Sequence, residues 1–235
     1  MRNLAIIPAR GGSKRLPRKN VLPFAGKPML VWSAEAAQQC GQFQKVIVST
    51  EDEGIALVAR EHGLEVAMRP NRLSTDASRC VDVCLHLLDE LEAQGESFDA
   101  LCCLYATAPL RRGEDIAATM ALLGDSRNNE ADFAFAVAEY AHSPYQALIM
   151  EKGGYLTPAW PLVVSAKSQD LPTPVIGNGS TYAARVPAFR KYGDFYGPRL
   201  RGHVMPKLRS IDIDTLEDYE MALWAAEWLR QKEKI

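Results

Sequence analysis

Apolar positions in the first half of the chain alternate between short unbroken runs and stretches in which they recur every three or four residues. Leu4-Ala5-Ile6-Ile7, ended by Pro8, is such a run and reads as a strand buried on both faces. Met29 to Cys40 carries Leu30, Trp32, Ala34 and Ala37 and predicts a helix. Lys45 to Thr50 predicts the next strand, and Glu53 to His62 a helix stopped by Gly63. Leu64 to Met68 and Ala100 to Tyr105 follow as strands, Arg79 to Ala93 and Gly113 to Leu123 as helices. Strands alternating with helices of about this length imply an α/β fold: a mainly parallel central sheet covered on both faces, with right-handed crossovers.

From Ala131 the pattern changes. Phe133 to Val137 reads as a strand, and then Pro144, Pro158, Pro161, Pro172 and Pro174 punctuate a stretch without a good helix. Residues 141–176 therefore read as an inserted lobe of short strands and loops, of the kind that forms a partner interface or a lid over a substrate. Ser180 to Arg185 and Gly202 to Met205 resume the sheet, Asp212-Ile213-Asp214 is a turn after Ile211, and Thr215 to Lys232 is a closing helix with Glu217 and Asp218 near its start. No internal repeat interrupts this order, and residues 1–235 read as one domain carrying one insertion.

Composition narrows the function. With 235 residues, 47% hydrophobic and 24% charged, the chain has the make-up of a soluble globular protein, not of a disordered or disulfide-stapled one. A net charge of -2 argues against a general binder of nucleic acid or membrane surfaces, which needs a broad positive field. Neither a membrane-spanning apolar run nor a signal-peptide core is visible, so a cytoplasmic location is expected. Five cysteines, an odd number without a C-x-x-C pair, read as reduced core thiols.

Against this acidic average, residues 8–20 (Pro8-Ala9-Arg10-Gly11-Gly12-Ser13-Lys14-Arg15-Leu16-Pro17-Arg18-Lys19-Asn20) place five cations and two glycines directly after the first strand. In open α/β sheets ligands bind beyond the carboxyl ends of the strands, where glycine lets backbone approach an anion and Lys and Arg neutralise it. A solvated basic loop would have the same composition, but this position favours a phosphate site. The spacing is neither G-x-x-x-x-G-K-[ST] nor G-x-G-x-x-G, so a Walker-type hydrolase and an ordinary dinucleotide site lose support. Asp212-x-Asp214 would project two carboxylates to one side of an extended segment and hold Mg²⁺ with polyphosphate oxygens. The competing account makes Asp214 the N-cap of the last helix and Asp212 a surface acid. Arg69-Pro70, Ser74-Thr75-Asp76 and Tyr105 to Arg111 also follow strands and would reach the same rim, and no Ser-His-Asp or Cys-His metal arrangement is detectable.

These residues resemble the acylneuraminate cytidylyltransferases, the CMP-sialic acid synthetases and their relatives for bacterial nonulosonic acids. Ile7-Pro8-Ala9-Arg10-Gly11-Gly12-Ser13-Lys14 through Lys19-Asn20 is similar to their signature loop, and Gly26-Lys27-Pro28-Met29, Val48-Ser49-Thr50, Ala108-Pro109-Leu110, Gln169-Asp170-Leu171-Pro172 and Asp212-Ile213-Asp214-Thr215 extend the likeness along the chain. The resemblance implies a Rossmann-like nucleotidyltransferase domain, a homodimer made through the lobe, and CMP transfer from CTP to the anomeric hydroxyl of an acidic nine-carbon sugar with release of pyrophosphate. By it, Ala9, Arg10, Gly11, Ser13, Lys14 and Lys19 would bind the triphosphate, and Asn20 and Arg69 the cytidine. Asp212 and Asp214 would hold Mg²⁺, with Arg10, Lys19 and Asp214 catalytic. Tyr105, Lys167, Gln169, Asn178 and Tyr182 would bind the sugar.

Departures from the sialate pattern bear on the sugar. Tyr105-Ala106-Thr107-Ala108-Pro109-Leu110-Arg111 stands where sialate enzymes resemble Gln-Pro-Thr-Ser-Pro-Leu-Arg, and looks like the pseudaminate form; so do Cys102-Cys103-Leu104-Tyr105 and Ser143-Pro144-Tyr145-Gln146. Ser168 replaces a common Arg, with Lys167 beside it as the substitute cation, whereas Asn178-Gly179-Ser180-Thr181-Tyr182 resembles the sialate form. Pseudaminate is the first expectation, then legionaminate or N-acetylneuraminate. The alternatives are a cytidylyltransferase for a Kdo-type acid and a non-catalytic nucleotide-sugar binding protein.

Overall fold

The structure, a computed structural model, describes residues 1–124 and 131–232. Its centre is β1 (Asn3–Pro8), whose side chains divide the core in two. Leu4 and Ile6 face one side and Ala5 and Ile7 the other, all fully buried, as the twofold period of a strand requires when helices cover both faces. Ala5 and Ile7 pack with α1 (Met29–Cys40), α2 (Glu53–Glu61) and α4 (Gly113–Ala121). Leu4 and Ile6 pack with α3 (Cys80–Ala93) and α5 (Val186–Tyr192). Adjacent Cys102 and Cys103 obey the same rule and enter opposite layers; all five cysteines are free thiols.

The remaining strands of this sheet are β4 (Lys45–Thr50), β5 (Glu65–Met68), β6 (Ala100–Leu104), β7 (Phe133–Glu139), β10 (Val175–Arg185) and β11 (Leu200–Val204). Their order is β11-β7-β10-β6-β1-β4-β5, parallel throughout except for β10, which runs antiparallel to both neighbours. The expected α/β class and mainly parallel sheet are what the structure has, and the loops after β1, β4, β5 and β6 emerge at one edge. A third cluster seats α6 (Leu216–Lys232) through Ala222 and Ala225 against Phe24, Met29 and Ile213. No helix among the described residues is long and apolar enough to cross a membrane.

Three elements differ from the sequence reading. A hairpin of β2 (Pro23–Phe24) and β3 (Lys27–Pro28) precedes α1; two-residue strands carry no periodicity. Helix α5 was unmarked because it has seven residues and a proline in its first turn. Strand β10 begins at Val175 rather than Ser180, so Val175 and Ile176 belong to the sheet and not to the lobe. Between these strands the lobe holds one antiparallel hairpin, β8 (Leu148–Met150) with β9 (Leu156–Pro158), and short 3₁₀ turns at 144–146 and 168–170.

One packing contact gives a stability prediction. A Cβ placed on Gly197 would lie 2.7 Å from Cζ of Phe133, a fully buried ring. Gly197→Ala is expected to destabilise the fold by about 1–3 kcal/mol through overpacking. For a chain of this size that lowers Tm by roughly 2–4 °C per kcal/mol, measured by thermal unfolding; an unchanged Tm would show that the ring moves aside freely.

Candidate active site

At the carboxyl edge of the sheet a cavity of about 270 Å³ is lined by Pro8, Arg10, Lys19 and Asn20 from the first loop, Arg69, Leu73, Asp76 and Cys80 from the segment after β5, and Tyr105, Ala106 and Thr107 after β6. Three separate stretches singled out in the sequence thus meet in one concavity, as expected for the ligand end of an open sheet. A larger cavity, about 550 Å³, lies between α1 and α6 and contains none of the residues assigned to a ligand.

The basic loop is tied down at its base and open at its tip. Ala9 is fully buried with its N–H bonded to Ser49 O at 2.9 Å, so it anchors the base of the loop. Asn20, buried, donates from Nδ2 to Arg10 O at 2.9 Å and closes the loop on itself. Gly11 donates its N–H to Glu51 Oε1 at 2.8 Å, and a Cβ there would come within 3.0 Å of Asp52 Cβ; its role is close approach, with the N–H already committed. Ser13 N–H turns back to Gly11 O. The exposed cations Arg10 and Lys14 both reach Asp76, at 3.4 and 2.5 Å, so that a carboxylate sits where the sequence reading places phosphate oxygens.

Lys19 connects this cavity to the acidic pair. Its Nζ lies 2.7 Å from Asp214 Oδ1 and 3.4 Å from Ile213 O, and Arg15 reaches Asp214 Oδ2 at 2.5 Å. Burial pushes the Asp214 carboxyl up, but the Lys19 hydrogen bond and the Lys19 and Arg15 charges outweigh it and hold the group below the usual carboxylate range. The competing account of Asp214 as a helix cap fails: Thr215 Oγ1 accepts from Asp218 N, and Asp218 Oδ2 accepts from Thr215 N and Asp214 N. That reciprocal capping box satisfies the start of α6 and leaves the Asp214 side chain to the cations.

Asp212 is different. Burial, opposed by a hydrogen bond from Thr107, raises its pKa, and Oδ1 is buried without a hydrogen-bond partner. A bulge places it there: between Gly177 and Tyr182 the pairing of β10 with β7 shifts, and Asn178-Gly179-Ser180 swings out. Gly179 has φ +70°, and a Cβ on it would lie 2.7 Å from Asp212 Cγ. Asn178 is buried, its amide donating to Ser210 Oγ at 3.0 Å and accepting from Ser180 Oγ at 2.7 Å. Assigned to the sugar from the sequence, it lies buried and braces the bulge through these two bonds.

The other residues assigned to the sugar divide. Tyr105 and Tyr182 pack with ring centroids 5.4 Å apart at a tilt of 40°, and of the two Tyr105 lines the cavity; burial pushes both hydroxyls up, that of Tyr182 to about 12. Lys167 and Gln169 are exposed on the lobe and do not line the cavity; the Ser168 side chain lies outside the described residues. Sequence reasoning missed Glu51, Asp76 as a partner of the cations, and Arg15. Glu51 and Asp52 look like ordinary acids at a strand-to-helix junction, and Asp52 does cap α2 by accepting from Ile55 N at 2.8 Å.

Comparison with known proteins bears on the family and the fold. Residues 4–148 match the family described as cytidylyltransferase. A pseudaminic acid cytidylyltransferase of Campylobacter jejuni is 33% identical over 223 residues, 94% of this chain and 95% of that protein. An N-acylneuraminate cytidylyltransferase of Streptococcus agalactiae is 30% identical over 93% of this chain and 52% of its own length. Among solved structures, a CMP:2-keto-3-deoxy-manno-octonic acid synthetase complexed with CTP has the same fold, with TM-score 0.68 and 20% identity over 97% of this chain and all of that one.

Proposed function

Because the chain belongs to the cytidylyltransferase family and is a nucleotidyltransferase enzyme, we propose that it transfers CMP from CTP to the anomeric hydroxyl of a nonulosonic acid and releases pyrophosphate. Pseudaminate is the first-choice substrate, ahead of legionaminate and N-acetylneuraminate. The observation that carries this reading is the cavity at the carboxyl edge, lined by the basic loop through Arg10 and Lys19, with Lys19 Nζ 2.7 Å from Asp214. The Tyr105 rim and the full-length similarity to the Campylobacter protein favour pseudaminate.

In this reading Arg10 and Lys14 exchange Asp76 for the outer phosphates, and the nucleotide base enters between Asn20 and Arg69. The sugar hydroxyl attacks the α-phosphorus in line, so positioning and charge stabilisation do the work and no nucleophilic side chain is required. The unpartnered Asp212 Oδ1 beside Asp214 suits a divalent cation, and hard carboxylate oxygens suit Mg²⁺. Among the described residues no group of three or more His, Cys, Asp or Glu could hold a metal, so phosphate oxygens and water would complete the shell. Bound there, Mg²⁺ would offset charge on the reacting phosphate. Lys19 and Arg15 hold Asp214 ionised and oriented for that role.

The test offers CTP and Mg²⁺ with pseudaminic, legionaminic, N-acetylneuraminic and Kdo-type acids and measures pyrophosphate for each. Fastest turnover on pseudaminate is expected. Preference for the Kdo-type acid would overturn the sugar class, and tight CTP binding without turnover on any acid would overturn the enzymatic reading.

The lobe is proposed as the homodimer interface. Ile149, Met150, Tyr155, Leu156, Trp160 and Leu162 are exposed on it, Met150 at 76% and Leu162 at 100%, an apolar patch of the sort that marks an interaction surface. In sedimentation the protein is expected to run as a dimer and the Met150→Asp, Leu162→Asp double variant as a folded monomer; a monomeric wild type would refute the assignment.

A further inference from the structure

Glu51 is placed in no catalytic or binding role by the reading above, yet it touches both halves of the nucleotide cavity. It follows β4, and its two oxygens face different partners. Oε1 accepts from Gly11 N at 2.8 Å, at the tip of the phosphate loop. Oε2 accepts from Arg69 Nη2 at 2.8 Å and from Ser74 Oγ at 2.7 Å. Arg69 completes the cluster by donating from Nη1 to Ser49 O at 2.9 Å and from Nε to Ser74 Oγ at 3.0 Å. The Arg69 side chain is 4% exposed and that of Glu51 13%.

A guanidinium has five N–H donors, and these contacts use three. One N–H remains on each terminal nitrogen, and Arg69 lines the cavity. The orientation of those two donors is therefore set by Glu51 and Ser74. Glu51 is also the only counter-charge that the structure pairs with Arg69 among the described residues; without it a buried cation would have to turn toward solvent or be left uncompensated.

We propose that Glu51 is a positioning residue that fixes the Arg69 guanidinium against the nucleobase and, through Gly11, couples base recognition to the shape of the phosphate loop. The inference rests on the reading of this cavity as the CTP site. Its role is positional, since both of its oxygens are occupied by protein donors. Removal of its charge should weaken base-dependent binding while leaving the chemical step intact once nucleotide is bound.

Glu51→Gln keeps the size and one acceptor but loses the ion pair. Its KM for CTP is expected to rise about tenfold, with kcat at saturating CTP within about threefold of wild type. By calorimetry its CTP affinity should fall about tenfold, while its affinity for inorganic tripolyphosphate, which has no base, falls less than threefold. In a cycle with Arg69→Gln, the double variant should bind CTP no more weakly than Arg69→Gln alone. Should Glu51→Gln fail to fold, Ser74→Ala, which removes the hydroxyl bonded to both partners, is expected to raise the CTP KM about threefold with kcat unchanged. A merely structural role would lower kcat through lost active enzyme and leave KM in place, and that result overturns the proposal. So do equal losses toward CTP and tripolyphosphate, or effects that add fully to those of Arg69→Gln. Wild-type protein that binds CTP no better than tripolyphosphate would instead overturn the reading of the cavity itself.

Discussion

Lys19→Ala is expected to lower kcat by on the order of 10²-fold or more, the usual loss when one preorganised charge at a reacting phosphate is removed. Lys19 is placed for that effect by two contacts at once, Asp214 Oδ1 at 2.7 Å and Ile213 O at 3.4 Å, with its side chain 19% exposed. It is thus partly withdrawn from solvent, where a charge acts more strongly than in water. Arg15 still reaches Asp214 in the variant, so the acidic segment keeps one cation and the fold should hold. Steady-state kinetics with thermal unfolding on the same preparation decides the matter. A kcat near wild type would show that Lys19 only neutralises Asp214.

The second large effect is expected where no chemistry is present. Gly179→Ala should reduce kcat by roughly 10²-fold, comparable with loss of a catalytic group, because it displaces the carboxylate proposed to hold the metal. At φ +70° an alanine is strained, and its Cβ would fall within 2.7 Å of Asp212 Cγ, inside any permitted contact. Asp212 has little room to yield, since it is mostly buried and bonded to Thr107. A raised requirement for Mg²⁺ alongside the reduced kcat is the expected signature of a shifted carboxylate. Unchanged activity and metal dependence would remove Asp212 from the site.

The two variants mark the limits of what the chain alone discloses. Lys19 and the Asp212, Asp214 pair were visible because cations and glycines after a first strand, and D-x-D at a strand end, are unusual enough to attract a chemical reading. The parallel half of the sheet was visible for a similar reason: unbroken runs such as Leu4 to Ile7 and Ala100 to Leu104 have few other uses. Gly179 was read only as part of a sugar-binding stretch, since its partner Asp212 lies 33 positions later in the chain. The first half of β10 was hidden by Pro172, Pro174, Gly177 and Gly179, which read as loop, although Val175 and Ile176 pair regularly with Glu139 and Ala138 respectively. The bracing contacts of Asn178 were hidden because an amide beside a glycine looks equally suited to a ligand and to a turn, and its partners Ser210 and Met205 lie far along the chain. Glu51 was missed because an acid before a helix is ordinarily a cap, and the neighbouring Asp52 takes that task.

The antiparallel course of β10 also has a consequence for how the lobe is attached. The lobe leaves the sheet after Glu139 and returns at Val175, and these two residues are paired partners on adjacent strands. Everything between them hangs from a two-stranded stalk whose feet stand side by side, a junction that a tight reverse turn can close without disturbing the strands below. The segment carrying Lys167 and Gln169 is thereby tethered at a single point of the sheet, on the opposite side of β6 from β1, β4 and β5.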